Sequence, residues 1–488
     1  MERTKRSLRN LSRKQKYQLG TIESQPAEPC YLAAAGSSQT KDAAFQGFLR
    51  KWAISNCVTH KAVPELLHGL KHFDEVFDFL PWDARTLLRT PRSIIMRKVP
   101  PGEYCHFPLQ DSLLELVSLG CTSQIPSSLS LMVYIDGINI TRSSLSQFWP
   151  TFGYVSEVPQ SSRFLIGSYH GHAKPASCED FLETFIDDIK RVLDNGLTAN
   201  GRHFSVHLKA FICDAPARAF VLGIKGHTGK YDCGKCLLRD NALEGREVFL
   251  ETDAPLHTEE DFRRKSEPQH HRTDTPLNRL PVGLVPAFPY EYLHLVCLGV
   301  IKQVITLWAQ TSAASTGRLS HREFECLSDS LSGLKDTICS EFARKPRSLR
   351  ELNRLKATEF RTFFILYTGP PTTRGLLLDQ YKDNFLSLHV AITILCNEHL
   401  WSEHNNYAKQ LLLYFVSQFA ALYGSHNVTY NVHGLVHLAD DAQRFGPLDA
   451  FSAFRSESYL HQIKKLIAGP ANPLQQLSNK IEFWSLKL

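Results

Sequence analysis

The feature of this sequence that most constrains its fold is a pair of cysteines. Cys233 and Cys236 are separated by two residues, and no second CxxC occurs among the 488 residues. This spacing supplies half of the four ligands of a tetrahedral zinc site. A redox role is disfavoured because the pair follows the glycine-rich stretch "GIKGHTGK" and does not open a helix after a strand. We therefore expect the chain to fold back and bring two more ligands from a distant segment.

The stretch "HGLVH" is the favoured source of these ligands. His433 and His437 are four residues apart, so they share one face of a helix and can bind a single ion. Two competing pairs are less well directed or spaced: His270 with His271, and His294 with Cys297. In the alternative without zinc, the cysteines and the histidines are unconnected.

The composition describes an intracellular globular protein with two or three domains. Hydrophobic residues make up 43% of the chain and charged residues 21%, which suits a full-sized core. A chain of 488 residues exceeds one ordinary core. We find no apolar run as long as a membrane span and no signal peptide, and the 12 scattered cysteines are typical of reduced thiols. Secretion and a membrane partner are therefore disfavoured.

The net charge of +6 is concentrated near the N-terminus. The first residues, "MERTKRSLRNLSRKQKYQLG", are rich in Lys and Arg, whereas the rest of the chain is nearly balanced. Such a tail could contact phosphate groups or act as a nuclear localisation signal. A solvated, disordered terminus is the alternative, and residues 1–42 are predicted to be disordered because they are polar and rich in Ser.

Hydrophobic periodicity divides the rest of the chain into four regions. Residues 43–125 form an N-terminal helical and mixed region that begins with two short helices, interrupted near Asn56. In 126–239, buried strands alternate with the helix "CEDFLETFIDDIKRVLDNGL", which ends at Gly196. The predicted strands are "LSLMVYIDGINI", "SSRFLIGSYHG" and "HFSVHLKAFICDA". Residues 240–430 read as an α-helical insertion and 431–488 as returning helices. The alternation predicts an α/β sheet.

Three acidic residues are candidates for a metal site. Asp136 and Asp214 each end an apolar strand pattern, at the sheet edge where open α/β sheets keep their sites. Adjacent strands lie ~5 Å apart, so the two carboxylates could share divalent cations; turn and cap chemistry is the alternative. A two-metal site needs a further carboxylate. Glu457 in "FSAFRSESYLHQI" lies beside the buried face of a predicted helix, although it could also simply face water.

The order of these motifs resembles a known family. Two acids, a CxxC, a long helical segment, an HxxxH and a final Glu occur in the DDE transposases whose RNase H-like core is split by an α-helical insertion. These include the CACTA (En/Spm), hAT and Transib groups, the last with the V(D)J recombinase catalytic subunit. The stretches "IDGINITRSSLSQFWPTFGYV", "DAPARAFVLGIKGHTGKYDCGKC" and "YEYLHLVCLGVIK" are most similar to CACTA-type elements of animals. The resemblance covers roughly residues 43–470.

The resemblance implies a fold and a chemistry. The fold would be an α/β RNase H-like core, a mixed sheet with flanking helices, interrupted by a large all-α insertion. The acids Asp136, Asp214 and Glu457 would bind two Mg²⁺ or Mn²⁺ ions for phosphodiester hydrolysis and transesterification, with Glu291 in "YEYLH" as an alternative third acid. A structural zinc would bind four ligands: Cys233, Cys236, His433 and His437.

The resemblance also implies partners and a location. The protein would bind double-stranded DNA, at transposon ends and targets, in the nucleus, and would form a homo-oligomer when active. Candidate phosphate contacts are Arg218, Lys225, Lys230, Lys464 and Lys465. One alternative is a domesticated or inactive transposase-derived protein that binds DNA or chromatin. Another is a metal-dependent hydrolase of unrelated fold with the same spacings.

Overall fold

The computed structural model describes most of the chain after residue 37. The described residues are 38–56, 58–59, 61–88, 95–119, 125–140, 145–158, 163–226, 233–238, 241–243, 246–309, 319–339, 342, 344–367, 373, 375–467 and 469–485. Residues 1–37 of the tail predicted to be disordered, 1–42, lie outside this set. The prediction was wrong for residues 38–42, because they form the start of a helix. The chain divides into two compact units, Met1–Thr90 and Pro91–Leu488. This division falls inside the region 43–125, which the sequence pattern predicts to be a single region.

The first unit is helical. Helices α1 (Ser38–Ser55) and α2 (Ala62–Phe73) confirm the predicted helical pair with its interruption near Asn56, and α3 (Ala84–Leu88) follows. The ring of Phe45 on α1 packs against Phe77 and Phe79, with centroids 5.7 and 6.2 Å apart. The unit thus has apolar contacts of its own.

The second unit is built on an eight-stranded mixed sheet. Its strands are β1 (Met96–Val99), β2 (Gly102–His106), β3 (Ser128–Ile135), β4 (Ile138–Asn139), β5 (Gln147–Val155), β6 (Phe164–Gly171), β7 (Leu197–Ala199) and β8 (Arg202–Cys213). Their order is β1-β2-β6-β5-β3-β8-β7, and β4 pairs with β5. The predicted strands correspond to β3 with β4, β6 and β8. Strand β5 was not predicted, because Pro150 and Gly153 interrupt its apolar run.

The pairing of β3 sets the geometry of the sheet's functional edge. Strand β3 pairs antiparallel with β5 and parallel with β8. In the parallel pair, Ile135 is the partner of Cys213, the last residue of β8. The acids that follow these two residues, Asp136 and Asp214, therefore lie at the same edge, as expected for neighbouring parallel strands.

Both faces of the sheet are covered. Leu131, Val133 and Ile135 share a core cluster with helices α4 (Leu109–Leu119) and α5 (Cys178–Asn195). Met132 and Tyr134, which alternate with them, face the other core, which is built by helices from the C-terminal half of the chain. The continuous apolar runs of β3 and β8 thus follow from burial on both faces.

Helix α5 confirms the predicted helix and its end. Ser177 caps its first turn by accepting a hydrogen bond from Asp180 N at 3.1 Å. Gly196 ends it with a φ of +61°, and a Cβ there would lie 2.5 Å from the carbonyl oxygen of Phe204. A glycine is therefore required between α5 and β7.

The predicted insertion is mainly helical. After α6 (Ala215–Leu222) come α7 (Glu259–Arg264), a π-helix (Leu293–Ile301) continued by α8 (Lys302–Ala309), α9 (His321–Gly333), α10 (Ala357–Arg361), α11 (Asp379–Cys396) and α12 (Asn405–Tyr423). The expectation of an all-α insertion was wrong in one respect, because β9 (Asn241–Leu243) and β10 (Arg246–Val248) form a two-stranded antiparallel sheet. Strands of three residues are too short to show a period of two.

In the part of the C-terminal region that the structure describes, the α-helices are α13 (Tyr430–Gly434), which begins at the end of the insertion, α14 (Leu438–Phe445), α15 (Phe454–Leu466) and α16 (Pro473–Ser485). The face of α15 that carries Tyr459, Leu460 and Ile463 is buried, as its sequence pattern predicts. Within the described part of the chain, no helix combines the length and apolarity needed to cross a membrane.

Candidate metal centres

Asp136 is a buried acid at the end of β3. Asp136 is only 7% exposed, and its Oδ1 accepts a hydrogen bond from Gly137 N at 2.7 Å. A Cβ at position 137 would lie 2.6 Å from Cε2 of Trp149 on the adjacent strand. Glycine at this position therefore allows the turn after β3 to lie against the indole and fixes the direction of Asp136.

Asp214 caps the helix that follows β8. Its Oδ1 accepts a hydrogen bond from Ala217 N at 2.7 Å, so the side chain is the N-cap of α6. Cap chemistry was the alternative to a metal role, but the two are compatible. The second oxygen, Oδ2, makes no hydrogen bond to any residue that the structure describes, and a carboxylate can cap with one oxygen and bind a cation with the other.

Glu457 reaches the same edge from α15. The hydroxyl of Tyr134 lies 2.9 Å from Asp136 Oδ2 and 3.1 Å from Glu457 Oε1, although Tyr134 and Glu457 are 323 positions apart. Burial raises the pKa of Asp136 well above its usual range, and the negative charges of Asp214 and Glu457 raise it further. The structure thus places the three predicted acids near one another.

Glu291, the alternative third acid, is deeply buried beside this cluster. Its Oε1 accepts from His294 N at 2.6 Å and contacts the His294 ring, and its Oε2 accepts from Leu293 N at 2.8 Å and Ala453 N at 3.1 Å. Both carboxylate oxygens of Glu291 therefore already accept hydrogen bonds within the protein. Since Ala453 directly precedes α15, Glu291 fixes the start of the helix that carries Glu457.

His294 connects Glu291 to the acids. Its Nδ1 contacts Glu291, and its Nε2 lies 3.9 Å from Glu457 Oε1. Burial would lower the pKa of His294, but the charge of Glu291, together with those of Asp136 and Asp214, raises it to about 9. A positive charge on this imidazole would partly offset the repulsion among the acids.

Sequence reasoning missed the contributions of Tyr134 and His294 to this cluster. Tyr134 lies two residues before Asp136 on a strand, so both side chains point to one face. His294 follows Glu291 by three residues on a helical turn, a spacing at which side chains meet. These spacings could have identified both residues, but they do not show that Glu457 lies next to them.

The chemistry of the three acids suits hard cations. Carboxylate oxygens are the ligands that Mg²⁺ and Mn²⁺ prefer. Among the described residues, however, the acids do not bring three ligand atoms within 4.8 Å of one another.

The four predicted zinc ligands form a compact cluster. The ligand atoms of Cys233, Cys236, His433 and His437 all lie within 4.8 Å of one another, and all four residues are buried. Cys233 Sγ is 3.4 Å from His437 Nε2, and Cys236 Sγ is 3.3 Å from His433 Nε2. His433 lies near the end of α13, and His437 ends the short 3₁₀ helix Leu435–His437 that leads into α14. This Cys₂His₂ cluster could bind a metal such as zinc.

The surroundings of this cluster are polar and buried. Burial would raise the pKa of the Cys233 thiol, but hydrogen bonding to Cys236 and the nearby imidazoles holds it well below its usual range. Lys235 Nζ donates to Asp441 Oδ1 at 2.6 Å, and Asp441 Oδ2 accepts from Tyr290 N at 2.7 Å. This ion pair ties the CxxC loop to α14 and to the chain before Glu291.

The rival histidines lie elsewhere. His294 faces the acids, as described above. The ring of His270 packs against that of His257, with centroids 4.9 Å apart, and against His271 at 5.2 Å. No group of three or more possible ligands in the described ranges includes them.

One predicted phosphate contact is in the core. Arg218 is 4% exposed, donates to Pro289 O at 2.5 Å and packs its guanidinium 4.3 Å from the ring centre of Tyr290. Its prediction as a DNA contact was therefore wrong, because it lies on the buried side of α6. Lys464 Nζ donates to Asn139 O at 2.7 Å, Lys465 is exposed, Lys225 is half-buried, and Lys230 lies outside the described residues.

No protein-family model matches this chain, and no curated protein matches it. The fold and the cluster by themselves define an α/β protein with a mixed sheet, extensive helical regions and a Cys₂His₂ site suited to zinc.

Proposed function

We propose that this protein is a transposase-like protein of the DDE type, most similar to the CACTA group, which cleaves and transfers DNA strands at a two-metal carboxylate site. The observation that carries the proposal is the contact of the Tyr134 hydroxyl with both Asp136 and Glu457. It joins acids from the first and last parts of the second unit at the sheet edge where Asp214 also lies.

The strand order supports an RNase H-like core. Strands β3, β5 and β6 form an antiparallel succession, and β8 lies parallel to β3 on its other side. In this succession of four strands, Asp136 follows the first along the chain, β3, and Asp214 follows the last, β8. Along the other edge of β8, Phe211 N donates to Ala287 O at 2.8 Å. The chain runs on from Ala287 to Glu291, so this hydrogen bond brings Glu291 close to the sheet.

The acids would hold divalent cations that activate water or a 3′-hydroxyl and stabilise the leaving oxygen. Asp214 presents its Oδ2, since its Oδ1 caps α6. Glu457 presents its carboxylate from α15, whose start is fixed by Glu291. His294 Nε2 lies 3.9 Å from Glu457 Oε1, where a positive imidazole would balance the charge of the acids or of a DNA phosphate.

The Cys₂His₂ cluster would have a structural role. Cys233 and Cys236 follow α6, the helix that Asp214 caps, whereas His433 and His437 lead into α14 and then α15. Thiolate and imidazole ligands suit zinc, while the carboxylates suit magnesium, so the two centres would select different ions. A zinc ion at this position would hold the two ends of the helical insertion together and limit the position of the Glu457 helix.

The remaining parts of the proposal concern partners. Double-stranded DNA would be the substrate, with phosphate contacts from surface cations such as Lys465, and binding would weaken as salt rises. Action on chromosomal DNA would require a nuclear location, for which the basic N-terminal segment is suited. Joining two DNA ends would require a homo-oligomer.

A nicking assay on supercoiled plasmid tests the proposal. The wild-type protein should nick DNA only with Mg²⁺ or Mn²⁺, and Asp214→Asn should remove the activity. Asp187→Asn is the matched control, because Asp187 is an exposed acid on α5. Cleavage that persists in Asp214→Asn would contradict the catalytic site. Wild-type DNA binding without cleavage would instead favour a domesticated, non-catalytic DNA- or chromatin-binding protein.

A further inference from the structure

Tyr134 occupies an unusual position between two acids. Its side chain is fully buried, and its hydroxyl is within hydrogen-bond distance of Asp136 Oδ2 and of Glu457 Oε1. A phenol has one proton, so it can donate to only one of the two oxygens at a time. When the carboxyl group that accepts is ionised, the hydrogen bond is charge-assisted and stronger than a neutral one.

The ring of Tyr134 is one of three aromatic rings in a row, Tyr134, Phe152 and Tyr459, which we call the aromatic column. It stacks on Phe152 of β5 with a centroid distance of 4.7 Å and an interplanar angle of 27°. Phe152 in turn packs against Tyr459 at 5.0 Å. Tyr459 is on α15, two residues after Glu457, so the column links the strand of one acid to the helix of the other.

We propose that Tyr134 is a positioning residue for the cation site, with its hydroxyl orienting the Asp136 and Glu457 carboxylates and its ring setting the distance between β3 and α15. The inference rests on the proposed function in one respect, namely that these acids bind divalent cations. Neither role requires Tyr134 to contact the cations or DNA. Groups that orient metal ligands in this way commonly change metal affinity by 10–100-fold when removed.

Direct measurement of Mn²⁺ binding by electron paramagnetic resonance, without DNA, tests this role. Tyr134→Phe keeps the ring in the column and removes only the hydroxyl, so the fold should be retained. We expect it to weaken Mn²⁺ binding about tenfold or more relative to wild type. Tyr169→Phe is the matched control, since Tyr169 is also fully buried but donates to Ala173 O at 2.9 Å, away from the acids. It should bind Mn²⁺ as wild type does.

A second variant tests the column. Phe152→Leu leaves the hydroxyl in place but removes the ring between Tyr134 and Tyr459, and it should also weaken Mn²⁺ binding. Retained zinc content and a cooperative thermal transition establish that each variant is folded. Wild-type affinity in folded Tyr134→Phe would overturn the proposal for the hydroxyl, and wild-type affinity in folded Phe152→Leu would overturn it for the ring.

The same titration separates this inference from the proposed function. Mn²⁺ binding that depends on Asp214 and on Tyr134, in a protein that cleaves no DNA, would sustain the positioning role and contradict the strand-transfer activity. Mn²⁺ binding that Asp214→Asn leaves unchanged would show that the acids are not the cation site, and the role of Tyr134 would fall with it.

Discussion

Ile135 and Cys213 are direct partners in neighbouring parallel strands, and this register places Asp136 and Asp214 side by side. A slip of one residue in either strand would turn every side chain of that strand to the opposite face. The apolar residues of β3 and β8 are buried on both faces, so many contacts resist such a slip. The relative position of the two acids is therefore a property of the core and does not depend on the flexibility of a loop.

The two functions of Asp214 can be separated by substitution. Asn is as good an N-cap as Asp, so Asp214→Asn should keep the stability of the protein while it removes the charge. Asp214→Ala should lower the free energy of unfolding by about 1 kcal/mol. Thermal denaturation and the nicking assay, carried out on both variants, measure these effects. An equal loss of stability in both would show that the carboxylate, and not the cap, stabilises this end of β8.

Gly137 should tolerate no side chain. Gly137→Ala would place a methyl group against the Trp149 ring, and overpacking of this kind typically costs ~1–3 kcal/mol. The substitution should also displace Asp136 and reduce nicking. Gly69→Ala is the matched control, because a Cβ on that helical glycine meets nothing within 4 Å and should stabilise α2 by ~0.5–1 kcal/mol. Wild-type thermal stability in Gly137→Ala would contradict the tight packing of this turn.

The Cys₂His₂ cluster should hold one zinc ion per chain. Cys236→Ser should reduce the bound zinc measured by elemental analysis and lower the thermal midpoint, because the metal links segments 197 positions apart. Cys339→Ser, at an exposed cysteine, should leave both quantities unchanged. If chelation removes the zinc from the wild type without changing its thermal midpoint, the ion does not brace the fold.

Asp188 should give the protein a pH-dependent contribution to stability. This buried carboxylate accepts hydrogen bonds from Leu109 N at 2.7 Å and from the ring of His106 at 2.9 Å. Burial alone would raise the pKa of Asp188, but these hydrogen bonds lower it overall. The stabilisation is therefore present above the unfolded pKa of ~3.9 and is lost as the pH falls through the folded value.

The test compares Asp188→Asn with wild type. The variant should be less stable by about 1.5–3 kcal/mol near pH 7, and the difference should narrow as the pH approaches 3. Thermal midpoints measured across this range check the trend, with Asp187→Asn, at the exposed neighbouring acid, as the control. A difference that stays constant with pH would mean that the carboxylate charge is not the stabilising feature.

Much of the sheet could be predicted because burial leaves a strong pattern. The runs ending at Ile135 and Cys213 are continuous and apolar, and they became β3 and β8. Strand β5 escaped prediction because Pro150 interrupts its pattern. The pairing of the strands could not be derived from either run alone, since the order of a sheet depends on contacts between distant segments.

The candidate site could likewise be predicted from the sequence only in part. The spacing of Cys233 with Cys236, and of His433 with His437, identified ligands that the structure brings together. Sequence could not show that Arg218 points into the core, because its position on α6 becomes buried only when Tyr290 packs over it. Nor could it show that Glu291 accepts hydrogen bonds from Leu293 and Ala453, since the latter comes from a remote part of the chain.

The most direct measurement of the central claim, that three acids distant in sequence surround one cation site, is cleavage of the protein itself by bound iron. Fe²⁺ can occupy carboxylate sites, and with ascorbate and peroxide it cuts the nearby backbone, whereas zinc is redox-inert. We predict cuts close to Asp136, Asp214 and Glu457 together, mapped by mass spectrometry and suppressed both by excess Mg²⁺ and by Asp214→Asn. Cuts at only one of these positions, or cuts that Mg²⁺ does not suppress, would contradict the account.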